Sequence, residues 1–482
     1  MKSSLLICRG LPCVVVIAAS LLFSGDASAM GKVNETESDR VVVEYWEKWT
    51  GFEGDAMQAV VDAFNASQDR IFVKKLTVST IDQKMMLSTA GGNPPDVAGL
   101  WSFNVSVYSQ KNALTPLNRM LEEKGITRDR YIPIFWDLCS HNGFVWALPS
   151  TPATIALHWN KKMFRDAGLD PEKPPRSIAE LDAMAERLTI VRVTRNGTPA
   201  RVRYTDLTEE EKADPDENFE LIQLGYTPSE PGWWNHSWCY WFGGRHWDGD
   251  RTITALDPGM VAAFQWFGSY SKKYGIANLR SLGSSFGNFS SPQNAFLAGK
   301  VAMVIQGVWM YNFIEKYNPE LEWGAAPFPS SDPGRWPLVT LAECDILVIP
   351  RGARHPREAF EFMAYVNSQE AMELLNMGQR KFSPLAQISP EFVKNHPNPY
   401  IDVFIALARS PDVQTVPPLP IWNEYADEVV IAADQIFSGR KTVEDALGVV
   451  QGRVQRKLDR VMRRWDRVKD ERIKEWSAYD PW

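Results

Sequence analysis

The sequence contains few of the residues that build metal centres or disulfide frameworks. Five cysteines occur in 482 residues, and no two of them have the C-x-x-C spacing of a zinc or redox site. The six histidines show neither the H-x-x-x-H nor the H-E-x-x-H pattern. We therefore predict no metal and no cofactor. Beyond residue 29 three cysteines remain, Cys139, Cys239 and Cys344, and two arrangements stay open for them: one disulfide with one free thiol, or three buried thiols.

An excess of positive charge is also absent. The chain has 52 Lys and Arg against 59 Asp and Glu, which gives a net charge of −7, so no overall positive field attracts nucleic acid. A hydrophobic content of 44% and an aromatic content of 12% exclude disorder, collagen and coiled coil as the main architecture. At about 100–200 residues per domain, a chain of this length should form two or three folded units.

Long apolar runs are missing except for one near the N-terminus, at residues 11–23. Lys2 and Arg9 precede it, and the small-residue triplet Ala27-Ser28-Ala29 follows it. This order predicts a cleavable signal peptide over residues 1–29, because the run is shorter than the roughly 20 residues that span a bilayer. We expect the mature chain to begin at Met30.

A lipid attachment site is not predicted at this leader. It would need a cysteine after the apolar run, whereas Cys8 and Cys13 lie before it or at its start. The expected location is therefore periplasmic or secreted, without lipidation.

The pattern of apolar residues alternates between strand and helix. Residues 41–45 predict a buried strand, and the apolar positions 57, 60, 61 and 64 predict the helix after it. The next elements are expected as a strand at 73–78, a helix at 81–90 and a strand that starts at 95. This order favours an α/β fold with a mostly parallel sheet flanked by helices.

Three further segments are predicted from capping and turn residues. Ser177 and Glu180 form a capping-box pattern that starts a helix through Leu188. Residues 291–299 predict a helix before a strand at 301–305. Residues 189–230 are rich in charge, Pro and Thr, and predict an insertion or a long loop.

Tryptophan is the most informative residue type in this sequence. Five of the 19 tryptophans fall within residues 233–247, among them Trp234 and Trp238, beside polar groups and turn residues. Aromatic faces next to hydrogen-bonding groups suit a sugar ring, whose C–H face stacks while its hydroxyls need polar partners. The alternative is a satellite core in which these rings cover one another.

A second aromatic cluster follows the first predicted strand. Trp46, Glu47 and Trp49 lie at its carboxyl end, where open α/β sheets bind ligands. The alternative is a strand end that turns into a solvated loop.

The order of segments resembles that of the family 1 extracellular solute-binding proteins, the maltose-binding-protein-like receptors of ABC sugar importers. The segments that carry this resemblance are 93–97 (NPPDV), 143–149 (GFVWALP), 156–164 (ALHWNKKMF), 167–169 (AGL), 174–177 (PPRS), 295–309 (AFLAGKVAMVIQGVW), 349–353 (IPRGA), 359–363 (AFEFM) and 439–447 (GRKTVEDAL). Together they cover about residues 40 to 450 in family order.

The resemblance implies a two-lobe periplasmic-binding-protein-like fold with crossing hinge segments. We expect lobe 1 over residues 38–150 and 346–412, and lobe 2 over residues 153–342 and 415–452. It further implies a monomeric extracytoplasmic receptor that closes on a carbohydrate and delivers it to ABC permease subunits. The many aromatic rings favour an oligosaccharide as that carbohydrate.

Three tryptophans match positions where the family often places a sugar-stacking ring, namely Trp101, Trp309 and Trp422. One departure from the family pattern is Glu343, which stands on the second crossing strand where small residues are usual. Its carboxylate is either a cleft group or a buried, paired acid.

An enzyme remains the alternative function. A secreted glycoside hydrolase would also use a tryptophan-rich groove with two carboxylates, here Glu47 and Glu343. The match of Gly283, Ser285 and Gly287 to the G-x-S-x-G pattern lacks the strand and helix of a nucleophile elbow. We predict a binding protein rather than an enzyme because of the family resemblance.

The C-terminal residues 453–482 predict a basic amphipathic helix. Apolar residues recur there at helical spacing, and residues 453–474 hold ten basic against four acidic side chains. The helix either packs on a lobe with a charged outer face or contacts a membrane surface or partner.

Overall fold

The computed structural model describes residues 39–481, and the folded unit that holds the strands and helices begins at Val41. The signal peptide predicted over residues 1–29 lies outside the described residues. Among the described helices, none is both long and apolar enough to span a bilayer.

Thirteen strands occur within the described residues. They are β1 (Val41–Glu47), β2 (Ile71–Thr77), β3 (Val97–Trp101), β4 (Ser140–His141), β5 (Phe144–Val145), β6 (Ala147–Asn160), β7 (Ile190–Arg195), β8 (Thr198–Arg203), β9 (Phe219–Gln223), β10 (Met303–Gly307), β11 (Trp323–Ala326), β12 (Thr340–Val348) and β13 (Val413–Gln414).

Nineteen α-helices accompany these strands in the same part of the chain. They are α1 (Gly51–Ser67), α2 (Ile81–Ala90), α3 (Asn104–Gln110), α4 (Asn118–Lys124), α5 (Pro133–Leu138), α6 (Lys161–Asp166), α7 (Ile178–Leu188), α8 (Glu209–Ala213), α9 (Pro215–Asn218), α10 (Trp238–Trp241), α11 (Pro258–Tyr274), α12 (Ile276–Ser284), α13 (Met310–Tyr317), α14 (Pro356–Val366), α15 (Gln369–Gln379), α16 (Pro390–Lys394), α17 (Ile401–Ala408), α18 (Trp422–Phe437) and α19 (Val443–Ser477).

The largest sheet runs through the middle of this fold. Its strand order is β10-β6-β12-β3-β1-β2, with β11 paired to β6 and β13 paired to β12. Pairing is parallel among β1, β2 and β3, as the sequence predicts, and antiparallel around β6. The α/β fold with helices against a sheet is confirmed. The sheet is mixed rather than mostly parallel, because β6 pairs antiparallel with β10, β11 and β12, and β12 pairs antiparallel with β3.

Two long strands link the two ends of this sheet. The first half of β6 pairs with β12, and its second half pairs with β10 and β11. In the same way β12 pairs with β3 at one end and with β13 at the other. The β6–β12 pair is therefore the crossing point between the two groups of elements.

The segment at residues 189–230 is more ordered than the sequence predicts. It holds the three-stranded antiparallel sheet β8-β7-β9 and the short helices α8 and α9. Alternating apolar residues bury one face of this small sheet, namely Val191, Val193, Phe219 and Leu221.

The helix predicted at residues 291–299 does not form, and turns take its place. The side-chain oxygen of Asn294 accepts hydrogen bonds from the backbone of Phe296 and Leu297, and Gly299 has φ +67°. A side chain that binds its own following backbone competes with helix formation.

The C-terminal helix begins ten residues earlier than predicted. Helix α19 is continuous from Val443 to Ser477, because Gly452 lies within it and does not end it. Near its end, Trp476 packs edge-on against Trp146 at 4.8 Å and donates a hydrogen bond to Asn112.

All three cysteines of the described residues, Cys139, Cys239 and Cys344, are buried and unpaired. Of the two arrangements left open by the sequence, the structure has the one with three buried thiols.

Candidate ligand-binding site

A cavity of about 610 Å³ opens at the crossing of β6 and β12. Thr151 and Ala153 of β6 and Glu343 and Asp345 of β12 line it, and the register pairs Glu343 with Ala153 and Asp345 with Thr151. Residues two apart on a strand point to the same face, so both acids face the cavity.

One wall of the cavity comes from the segments that follow β1 and β3. Trp101 and Phe103 lie parallel, with ring centroids 5.9 Å apart and an interplanar angle of 7°. Trp49 meets Trp101 edge-on at 6.1 Å. We call these rings, together with Phe52 at the start of α1, the first aromatic wall.

A second wall of the cavity comes from elements later in the chain. Trp234 stacks on Trp309 at 6.3 Å and 28°, and the exposed Trp233 packs against Phe289 at 4.7 Å. We call these four rings, together with Phe313 and Tyr317 of α13, the second aromatic wall. The two walls touch where Phe52 meets Phe313 at 5.9 Å.

The position of Trp309 depends on a glycine. Its ring lies directly over Gly307, where a Cβ atom would come within 2.3 Å of a ring carbon. The indole nitrogen of Trp309 donates a hydrogen bond of 3.2 Å to Gln306. Gly307 therefore leaves the space that the ring occupies.

Asp345 is the centre of a buried polar network on the cavity floor. Its carboxylate accepts hydrogen bonds from the Thr151 hydroxyl at 2.6 Å and the Trp49 indole at 2.8 Å. Lys48 lies 3.1 Å and Lys381 3.8 Å from it. Burial alone would raise the pKa of Asp345, but the two ammonium groups and the two hydrogen bonds lower it.

Lys381 links this network to the first helix. It is buried and lies 2.9 Å from the Glu53 carboxylate at the start of α1. Burial alone would lower the pKa of Lys381, but the negative charges of Glu53 and Asp345 raise it above its ordinary value. The two lysines and two of the acids of the cavity floor therefore neutralise one another.

Glu343 differs from its neighbours. Within residues 39–481, no group makes a hydrogen bond or an ion pair with its carboxyl group. Burial, and next the negative charge of Asp345, raises its pKa to about 7. A carboxyl group of this kind can donate or accept a hydrogen bond near neutral pH.

Two further polar atoms reach the second aromatic wall without a partner. The indole nitrogen of Trp234 and the Nε2 atom of His236 are buried and have no hydrogen-bond partner among the described residues. Burial lowers the pKa of His236 to about 4, so its ring is neutral at pH 7. Buried polar atoms are usually satisfied, which makes these two candidates for contact with a ligand.

Of the nine site residues predicted from the sequence, five line the cavity. These are Trp49, Trp101, Trp234, Trp309 and Glu343. The other four, Trp46, Glu47, Trp238 and Trp422, do not line it.

Glu47 and Trp46 are displaced from the cavity by the alternation of β1. Val43, Tyr45 and Glu47 share the buried face of this strand, so the Glu47 carboxylate turns inward. It accepts hydrogen bonds from the Tyr45 hydroxyl and from the backbone of Lys48, and it lies against Gly99. Trp46 points to the other face, where its indole bonds to Glu44.

Trp238 and Trp422 are core residues. Trp238 is 1% exposed and packs against Trp266, Trp241 and Phe328. Trp422 is 3% exposed and supports the ring of His236 from behind, edge-on at 5.2 Å. For Trp238 the alternative of a satellite core is therefore the one observed.

Sequence reasoning missed several lining residues. Asp345 could have been found, because it stands two residues from Glu343 on a predicted strand. His236 stands among the polar groups of the tryptophan-rich segment 233–247 and could have been named with Trp234. Lys381 and Phe313 carried no comparable signal, since their place depends on how distant segments pack. Phe103 follows Trp101 by two residues and could have been paired with it.

Comparisons with known proteins agree with this architecture. The family model described as bacterial extracellular solute-binding protein matches residues 53–373. An uncharacterised ABC transporter extracellular-binding protein of Pyrococcus horikoshii is 22% identical over 458 residues, which are 90% of this chain and 90% of that protein.

Solved structures with a similar fold include sugar-binding proteins. The structure of CpMnBP1 with mannotriose bound is 26% identical and has a TM-score of 0.72, with 86% of this chain and 99% of that chain covered. The sugar-binding protein MalE of Xanthomonas citri is 18% identical and has a TM-score of 0.68, with coverage of 88% and 98%.

Proposed function

This chain belongs to the family of bacterial extracellular solute-binding proteins, and on that basis we propose that it captures a carbohydrate of more than one ring for an ABC importer. The observation that carries this proposal is the cavity at the β6–β12 crossing, which both aromatic walls line. Its volume of about 610 Å³ falls within the range of roughly 300–1,000 Å³ that is typical of small-molecule sites. The similarity to a protein solved with mannotriose bound supports the ligand class.

The chemistry of the lining suits a sugar. The faces of Trp101 and Trp309 offer apolar surface on which the C–H face of a sugar ring can stack. Trp234 Nε1, His236 Nε2 and the Glu343 carboxyl group are the polar atoms available to hydroxyl groups. A site that hydrogen-bonds hydroxyls in this way rejects analogues that lack them.

Binding is coupled to closure of two lobes in this proposal. The lobes are residues 38–150 with 346–412 and residues 153–342 with 415–452, and β6 and β12 run between them. A ligand that contacts both aromatic walls binds the closed arrangement better and shifts the population toward it. The closed surface is what the permease subunits recognise, and the receptor acts as a monomer.

Export follows from the proposed leader. Removal of residues 1–29 would release a periplasmic or secreted protein that starts at Met30, consistent with an extracellular solute-binding family.

We propose binding without turnover. The hydrolase alternative needs two cleft carboxylates, but Glu47 is bonded to Tyr45 and to backbone groups, and Asp345 is neutralised by Lys48. Glu53, the remaining acid that lines the cavity, is paired with Lys381 at 2.9 Å, so among the described lining residues Glu343 has no free second carboxylate for the acid and base roles of a glycosidase.

A thermal-shift screen of residues 30–482 tests the proposed function. The panel contains manno- and malto-oligosaccharides, monosaccharides, polyols and polyol phosphates, and each supernatant is analysed for products. A ligand at a hundred times its Kd stabilises the native state by about 2.7 kcal/mol. Stabilisation by an oligosaccharide without product supports the proposal, whereas product formation, or stabilisation only by non-carbohydrates, contradicts it.

A further inference from the structure

Helix α19 has two faces of different chemistry. Its apolar side chains Leu447, Val450, Val454, Leu458 and Trp465 are all buried against the rest of the protein. These side chains are used in packing, so the opposite face is the one available to a partner.

The opposite face is almost entirely basic. With 3.6 residues per turn, eight basic residues between positions 453 and 474 fall within a sector of about 120° that contains, over the same stretch, one acid, Glu471. We call these residues the basic face: Arg453, Arg456, Lys457, Arg460, Arg463, Arg464, Arg467 and Lys474. At 1.5 Å per residue the basic face is about 30 Å long.

Most of the basic face has no counter-charge within the protein. Arg453 lies 3.1 Å from Glu428 and Lys457 lies 2.6 Å from Glu424, both on α18. The other six residues are exposed, and none of them has an acid within 4.0 Å among residues 39–481.

This accumulation of charge opposes the balance of the whole chain. The protein carries a net charge of −7, and many of its surface cations elsewhere, such as Arg70, Arg128 and Arg192, are paired with acids. On α19, Arg456, Arg460 and Arg464 follow one another at intervals of four residues, a spacing at which like charges repel. A negatively charged partner that covers this surface would reduce the repulsion between these side chains.

We propose that the basic face binds the anionic phospholipid surface of a membrane. One guanidinium group can donate two parallel hydrogen bonds to the oxygens of a phosphate. Basic residues near an anionic bilayer are also attracted to its negative surface potential. The basic face is a straight row with no large apolar side chain within it, whereas protein interfaces have an apolar or aromatic centre. A row of cations of this kind therefore suits the mobile phosphate groups of a lipid layer better than it suits the surface of a folded partner protein.

The contact is electrostatic and shallow. The long apolar face of α19 is buried, and the exposed Ile473 lies outside the basic face, so the basic face itself has no apolar side chain to insert among the acyl chains. The cavity residues are not part of α19, so sugar binding and membrane contact are separate properties. If the proposed receptor function holds, membrane contact would raise its concentration beside the permease.

Vesicle co-sedimentation of residues 30–482 tests this inference. Vesicles of phosphatidylglycerol with phosphatidylcholine should bind the protein, and vesicles of phosphatidylcholine alone should not. Raising the salt from about 0.01 M to about 1 M shortens the screening length from roughly 30 Å to roughly 3 Å and should release it.

The decisive variant replaces five arginines of the basic face, Arg456, Arg460, Arg463, Arg464 and Arg467, by Gln. We expect its affinity for phosphatidylglycerol vesicles to fall at least about tenfold. The matched control replaces five exposed cations elsewhere by Gln, namely Lys74, Lys124, Arg201, Lys272 and Arg280. The control has the same change in net charge and should bind like the original protein.

The inference is overturned if the original protein does not bind these vesicles, or if both five-residue variants lose binding equally. Binding only to vesicles that contain a membrane protein would also overturn it, in favour of an acidic protein partner. If the basic-face variant does not fold, as judged by circular dichroism, the triple change R460Q/R463Q/R467Q replaces it. Oligosaccharide-induced thermal shifts of each variant keep this test separate from the proposed function.

Discussion

The indole nitrogen of Trp49 donates a 2.8 Å hydrogen bond to the carboxylate of Asp345, a residue 296 positions further along the chain. This bond joins the loop after β1 to the crossing strand β12 at the floor of the cavity. Because the single donor of Trp49 is used in this bond, Trp49 has only its ring surface to offer a ligand. The indole nitrogen of Trp49 therefore bonds within the protein, and the ring lines the cavity.

Replacement of Asp345 by Asn should destabilise the protein. The change removes the acid that Lys48 and Lys381 share. Because Lys381 keeps Glu53 at 2.9 Å and Lys48 keeps Glu47 at 3.6 Å, we expect a cost of about 1–3 kcal/mol in the free energy of unfolding. Because the folded-state pKa of Asp345 is lowered, its contribution is present above the ordinary pKa of an aspartate and is lost as the pH falls through the folded value.

Urea unfolding at pH 7 and at acid pH measures this effect. The exposed Asp166, paired with Lys162 on the surface, provides the control D166N, for which we expect a change below about 1 kcal/mol. Equal stability of D345N and D166N would contradict the account of the cavity floor.

Replacement of Glu343 by Gln should stabilise the ligand-free protein at alkaline pH. The folded pKa of about 7 stands above the ordinary value of 4.5, so the folded state holds its proton more tightly than the unfolded state. The free energy of unfolding therefore decreases as the pH rises from about 4.5 to about 7, and the loss persists above that range.

At pH 9 we expect the E343Q variant to be more stable than the original by about 1–3 kcal/mol, with no difference at pH 4. Unfolding curves at the two pH values measure this. An unchanged pH profile in E343Q would show that Glu343 is not the group responsible.

Replacement of Trp309 by Ala should weaken oligosaccharide binding. Loss of a stacking face is expected to raise the Kd about 10- to 100-fold for the oligosaccharide that stabilises the protein most in the screen. Trp46 is also half-buried but lies outside the cavity, so W46A is the matched control and should keep the original Kd. Fluorescence or calorimetric titration gives both values, and a larger loss in W46A than in W309A would contradict the assignment.

Replacement of Gly307 by Ala should act through the same ring. The added methyl group would meet the Trp309 ring at 2.3 Å, so the ring must move out of its position. We expect weaker binding together with reduced stability. The control G448A adds a methyl group on α19 where no atom lies within 4 Å, and it should stabilise the helix by roughly 0.5–1 kcal/mol. Normal ligand affinity in G307A would show that the position of Trp309 is unimportant.

The local elements were predictable because short-range patterns determine them. Helix α2 has the predicted bounds, and β1 and β2 lie within two residues of theirs. The resemblance to a family also placed Trp101 and Trp309 at the cavity. The prediction that Glu47 faces the ligand was wrong. Side chains alternate along a strand, so Glu47 points to the same buried face of β1 as Tyr45, and this could have been deduced from the sequence.

Contacts between distant segments were beyond the sequence. Lys381 reaches Glu53 and Asp345 only because α15 packs against α1, and no local pattern marks it. Trp238 and Trp309 look alike in the sequence as aromatic residues beside turns. One is enclosed by Trp266 and Phe328, whereas the other lies over a glycine at an open cavity.

A crystal structure of residues 30–482 with the best-stabilising oligosaccharide would show directly where the sugar binds. We expect sugar rings stacked on Trp309 and on the first aromatic wall, with hydroxyl groups within hydrogen-bond distance of Trp234 Nε1 and of the Glu343 carboxyl group. A ligand bound outside the β6–β12 cavity, or in it without contact to either aromatic wall, would contradict the account.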